Sequence, residues 1–149
     1  MAELVLIDAE TLAHAEAMRI VRNTCRAFMT NDPSEISAED QHEWFTHLDR
    51  ETTQPYVGFV ETVVAAFGLV RNVDGGWWVS GGLLPEFRGH GLGKALFEQL
   101  IARVSLKKRS TWLEVLRNNG RAERLYRSLG FVQIYANEDV ITMRREFVP

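Results

Sequence analysis

Hydrophobic residues fall along this chain in two rhythms. Short apolar or alternating runs read as strands, and three- and four-residue spacings read as amphipathic helices. Leu4 to Ile7 gives a first strand. Asp8 or Thr11 can cap a helix running to about Phe28, with Ala13, Ala17, Ile20, Val21, Thr24 and Phe28 along one face; Asn31-Asp32-Pro33 ends it. Ser37-Ala38-Glu39-Asp40 has the form of a capping box. It opens a second helix to about Arg50, on which Gln41, Trp44, Phe45 and Leu48 share a face. Tyr56 to Glu61 and Val63 to Arg71 predict a hairpin. Asn72 to Gly76, with Asp74-Gly75 as its turn signal, leads into a strand from Trp77 to Leu84.

The second half continues in the same way. A helix after Gly93 should bury Leu96, Phe97, Leu100, Ile101 and Val104, and a strand follows at Thr111 to Val115. Asn119 caps a short helix whose Ala122, Leu125, Tyr126 and Leu129 share a face. Phe131 to Tyr135 and Val140 to Phe147 make a closing hairpin around Asn137-Glu138-Asp139. The expected order is β-α-α-β-β-β-α-β-α-β-β, an α/β chain forming a single domain over residues 1–149.

Between the strand ending at Leu84 and the helix after Gly93 lies Pro85-Glu86-Phe87-Arg88-Gly89-His90-Gly91-Leu92-Gly93-Lys94. Glycine at 89, 91 and 93 permits positive φ and lets a ligand come up to the backbone. The first N–H groups of the following helix have no internal partner, and the helix dipole favours an anion there. Arg88 and Lys94 add formal charge, so the turn reads as a phosphate site. A magnesium-nucleotide loop would need Ser or Thr after the lysine, and Ala95 stands there. A dinucleotide fingerprint would need a different glycine spacing, near the first strand of a repeating unit.

Composition narrows the partners. A net charge of −3 argues against nucleic acid as the main partner. No apolar run is long enough to span a bilayer, the first residues do not form a leader, and Cys25 is the single cysteine. A cytoplasmic protein without disulfides is expected, with Cys25 as a small buried side chain. No His or Cys spacing suggests a metal.

Arg88-Gly89-His90-Gly91-Leu92-Gly93 resembles the Arg/Gln-x-x-Gly-x-Gly/Ala loop of the GNAT N-acetyltransferase superfamily. A second block is similar as well: Trp112 to Asn119, then Ala122, Leu125, Tyr126, Gly130 and Phe131. The resemblance implies the GNAT fold, a mixed and strongly twisted sheet of about seven strands flanked by about four helices. It implies acetyl-coenzyme A as co-substrate and direct transfer to a primary amine of a small molecule or protein in a ternary complex. A catalytically silent coenzyme A-binding sensor or interaction module with the same fold is the alternative, and a homodimer is left open.

By the same resemblance, Arg88, Gly89, His90, Gly91, Leu92, Gly93 and Lys94 would hold the pyrophosphate. The pantetheine arm would run along the edge at Leu83, Leu84 and Pro85, with Gly81-Gly82 as a bulge that loosens the ladder. Asn119 would contact the coenzyme, and Tyr126 would contact it and act as the acid that reprotonates the departing thiolate. The base is left open between Glu114, Glu43, His47 and a water chain, because Ser80 and Gly81 stand where relatives often carry Glu.

Overall fold

A computed structural model describes residues 2–149. Its strands are β1 (Leu4–Asp8), β2 (Thr53–Val60), β3 (Val63–Val73), β4 (Gly76–Leu83), β5 (Thr111–Leu116), β6 (Val132–Ala136) and β7 (Val140–Arg145). Its helices are α1 (Leu12–Thr24), α2 (Ala38–Thr46), α3 (Leu92–Ser105) and α4 (Gly120–Ser128). The strands form one seven-stranded sheet in the order β1-β2-β3-β4-β5-β7-β6. Only β4 and β5 run parallel, and they pair only at Trp77↔Thr111 and Trp78↔Trp112.

The two faces of the sheet carry separate cores. On one, α3 lays Leu96, Phe97, Leu100, Ile101 and Val104 against Val79, Leu83, Leu113 and Val115, with Tyr126 of α4 and Phe131 closing the end. On the other, Met18, Val21 and Cys25 pack on Val57 and Phe67. The β3–β4 hairpin turns where expected, with Asp74 and Gly75 both at positive φ. Thr11, Ser37 and Asn119 each accept a backbone N–H at the start of α1, α2 and α4, as capping residues should.

Three local expectations are corrected. The buried stripe of α1 is Ala15, Met18 and Val21, continuing to Cys25, while Ile20 is 50% and Phe28 44% exposed. The expected stripe is rotated about the helix axis from this one. It favours the bulk of Ile20 and Phe28, whereas the face that meets the sheet carries residues that fit close to it. The helix also stops at Thr24, and a 3-10 turn, Arg26–Phe28, swings Phe28 outward. α2 ends at Thr46 rather than near Arg50.

The third correction concerns Gly81-Gly82. β3 and β4 stay in unbroken register through both residues, so there is no bulge; the irregularity in this hairpin system lies at Gly58/Phe59. The glycines answer to close approach instead. A Cβ on Gly81 would lie 2.8 Å from the Phe67 carbonyl oxygen, and one on Gly82 would lie 2.6 Å from Cys25 Sγ. Cys25 is buried, as expected, and it fills the space that Gly82 leaves.

Candidate active site

Beyond Trp78↔Trp112 the parallel ladder stops and the strands part. A cavity of about 560 Å3 runs through the split, with walls from both faces of the sheet. Two residues past the last pair, Ser80 and Glu114 stand across the opening from one another, on the side walled by Phe28, Met29 and Thr30. Thr30 Oγ1 donates to Glu114 Oε1 over 3.5 Å. On the opposite side the walls are Leu96, Phe97, Leu125 and Tyr126.

The loop end of the cavity presents unpartnered donors. Gly91 is the N-cap of α3 at φ +79, and no side chain caps the helix. Ala95 is the first residue of the helix whose N–H finds a helical carbonyl, that of Gly91 at 3.3 Å, leaving the N–H groups of Leu92, Gly93 and Lys94 without intrahelical partners. A Cβ on Gly91 would stand in open space, and one on Gly89 would lie 3.5 Å from Arg121 Nη2. Arg88, Lys94 and Arg121 all line this cavity, against one carboxylate, that of Glu114. Charge is thus divided along its length. The free amides, the open glycine and the cations Lys94 and Arg121 fit a pyrophosphate, and the narrow split fits an extended thioester arm.

Tyr126 is held by its ring and left open at its tip. The ring meets Phe97 edge-on at 4.8 Å and Phe131 at 6.1 Å. Among the described residues its hydroxyl has no hydrogen-bond partner, yet no fully buried side-chain polar atom is orphaned, so the hydroxyl meets the cavity. Burial raises its pKa far above the ordinary phenol range, which keeps the proton in place at neutral pH.

Of the residues expected here, Leu83, Arg88, Gly89, Gly91, Gly93, Lys94, Asn119 and Tyr126 line the cavity. Leu84, Pro85, His90 and Leu92 are not part of its wall: Leu92 is in the core, and Pro85 and His90 are exposed. Arg88 turns its guanidinium inward rather than toward the loop. It donates to the Leu83 carbonyl from Nε at 3.1 Å and Nη2 at 3.0 Å and lies over the Phe28 ring. Asn119 Oδ1 caps α4 by accepting from Ala122 N, which leaves its amide NH2 free for a ligand. Among the candidate bases the cavity contains Glu114 alone; Glu43 and His47 are exposed and face each other at 3.5 Å at the C-terminal end of α2. Sequence reasoning misses Arg121 and Thr30. Arg121 reads in sequence as an ordinary solvated helix residue, and only the fold brings it over Gly89.

The family model described as acetyltransferase (GNAT) family matches residues 18–131, more than half of the chain. The chain belongs to the GNAT acetyltransferase family. The ribosomal protein bS18-alanine N-acetyltransferase of Escherichia coli K12 is 42% identical over 66 residues, which is 44% of this chain and 40% of that protein. The chain therefore matches well under half the length of this curated relative. The spermidine N-acetyltransferase of Vibrio cholerae, solved with coenzyme A and spermine, superposes with a TM-score of 0.82 at 18% identity, covering 97% of this chain and 96% of that one. A ribosomal-protein-alanine N-acetyltransferase from Brucella melitensis gives a TM-score of 0.79 at 19% identity, covering 95% and 99%. These two likenesses establish the GNAT fold. No helix among the described residues is long and apolar enough to cross a membrane.

Proposed function

We propose that this acetyltransferase moves an acetyl group from acetyl-coenzyme A to a primary amine, directly and within one ternary complex. Acetyl-coenzyme A supplies the acetyl group as a thioester. The amides of Leu92 to Lys94, with Lys94 and Arg121, hold the pyrophosphate, and Asn119 contributes its free NH2. Arg88 reaches the Leu83 carbonyl that a pantetheine amide would compete for. That carbonyl already accepts from Arg88 Nε and Nη2 and from Cys25 Sγ, so a pantetheine N–H donating to it takes the place of one of these donors.

The acceptor enters from the side of Phe28, Met29 and Thr30, opposite the coenzyme. Its ammonium must lose a proton before attack, and Glu114 is the carboxylate at hand. The amine nitrogen then forms the amide as the carbon–sulfur bond breaks. Tyr126 gives its O–H proton to the departing sulfur, so that the thiol forms, and regains a proton from the second one shed by the amine nitrogen as the amide forms; the first proton, held by Glu114, passes to solvent. One carboxylate suits an acceptor with one ammonium. This favours an N-terminal α-amine or simple monoamine over a polyamine, and the names of two relatives agree with the first.

The observation that carries this reading is one cavity with free helix amides at one end and an open tyrosine hydroxyl and lone carboxylate within it. A thiol-release assay on purified protein tests it, comparing a peptide with a free N-terminus, the same peptide blocked at its N-terminus, and spermidine. Release with the free peptide and not with the blocked one is expected. Release with spermidine alone would overturn the acceptor reading, and none with any amine would overturn the enzymatic one.

A further inference from the structure

The parallel pair β4–β5 has a second opening at its other end, where both strands enter the sheet. A cavity of about 340 Å3 lies there, walled by Trp77, Arg109, Ser110, Trp112, Ile134 and Arg144 and by the backbone at Gly75 and Gly76. We propose that it binds a small aromatic oxyanion: a planar ring carrying a carboxylate or phosphate.

The polarity of the wall points to an anion. Arg109 donates from Nη2 to the Gly75 carbonyl at 2.9 Å, and Arg144 donates from Nη2 to Ser110 Oγ at 3.1 Å. Neither arginine has a carboxylate within ion-pair distance among the described residues, and no acidic residue lines the cavity. Neutral acceptors therefore fix both guanidinium groups and leave their charge uncompensated, with most of their five N–H donors unused. Ser110 Oγ also accepts from Phe147 N at 3.1 Å. Two accepted bonds occupy its lone pairs, so its own O–H is a further donor. The Trp112 indole can only donate, while the Trp77 indole turns to the other face of the sheet, against the α3 core and under Lys107 Nζ. Every side-chain hydrogen-bonding group in the wall offers a hydrogen, and the side chains supply no free acceptor.

The size and the remaining surfaces point to a ring. The cavity is larger than an inorganic ion requires, and its other surfaces include the Trp112 indole and the Ile134 side chain. Arg144 lies over Trp112 at 5.6 Å, and Trp112 stacks on Trp78 at 5.4 Å, so the planar groups are already ordered before a ligand arrives. This proposal does not rest on the acetyl-transfer reading. The two cavities share no lining residue.

Tryptophan fluorescence and calorimetry on the full chain test it, with phenyl phosphate and benzoate as probes and inorganic phosphate and phenol as their separate halves. Saturable quenching by at least one ringed anion is expected, tighter than by either half. Arg109→Gln should weaken it about tenfold, the loss of one charged hydrogen-bond partner. Arg144→Gln also removes the stack on Trp112, so Arg109→Gln, at an exposed position, is the deciding variant. The proposal is overturned if neither probe binds saturably, if Arg109→Gln binds as tightly as the parent, or if inorganic phosphate matches phenyl phosphate.

Discussion

The two ends of the β4–β5 pair differ in what they are made of. At the end where the strands part into the larger cavity, the donors are mainly backbone: the amides opening α3 beyond Gly91. At the other end they are side chains: two guanidinium groups, a hydroxyl and the Trp112 indole. The backbone-built end needs special conformations, so it leaves glycines clustered within a few residues. The side-chain-built end gathers residues from 75 to 144 and leaves no local mark. The first kind of site can be read from sequence; the second becomes visible only once the sheet is assembled.

The largest effects expected lie in the chemistry of the larger cavity. Tyr126→Phe keeps the ring between Phe97 and Phe131 and removes the hydroxyl; turnover should fall by about 10²–10⁴-fold while coenzyme A affinity holds within a few-fold. Steady-state rates beside calorimetric affinities check it, and full turnover in a folded variant would exclude the acid role. Glu114→Gln should cost about 10²-fold at neutral pH. The deficit should shrink as pH rises toward the pKa of the acceptor amine, since an amine already deprotonated needs no base. A loss constant across pH would instead assign Glu114 to positioning.

A gentler pair of substitutions sets the two ends directly against each other. Gly75 and Gly91 both sit at positive φ, and a Cβ on either would meet open space. Alanine at each carries the same backbone penalty, about 1–2 kcal/mol. Only Gly91→Ala should lower coenzyme A affinity, by about tenfold or more, while Gly75→Ala lowers thermal stability alone. Equal losses of affinity would mean that strain, not ligand approach, explains the glycine at 91.

Much of the fold is legible in the sequence because local and global preferences agree. α3 shows the expected apolar face, and Asp74-Gly75 turns the hairpin as its residue types require. α1 is legible as a helix but not in its orientation, since its face is set by the sheet that Met18, Val21 and Cys25 must approach. Gly81 and Gly82 are legible as special, but their reason is not. The contacts that require them come from Leu96, Phe67 and Cys25, far off in the chain. At the site, the loop and Tyr126 can be singled out, whereas selecting Glu114 over Glu43 and His47 requires knowing where the parallel ladder stops.

The smallest effect expected is on stability at high pH. Burial raises the Tyr126 pKa in the folded protein above its unfolded value of about 10. Its contribution is therefore full below about pH 10 and is lost as pH rises, because the unfolded chain gives up the proton first. The slope is ~1.4 kcal/mol per pH unit for one proton. Denaturant titrations of Tyr126→Phe should show a shallower alkaline decline than the parent, with the buried Tyr56 contributing equally to both.

Everything proposed for the larger cavity depends on free amides at the start of α3 holding the coenzyme. Following backbone amide resonances of isotope-labelled protein during titration with coenzyme A tests this most directly. The largest saturable shifts should fall on Gly91, Leu92, Gly93 and Lys94, with Trp77 and Trp112 at the other end of the strand pair little changed. Saturable binding that leaves those four amides unmoved, or that moves the Trp77–Trp112 end instead, would contradict it.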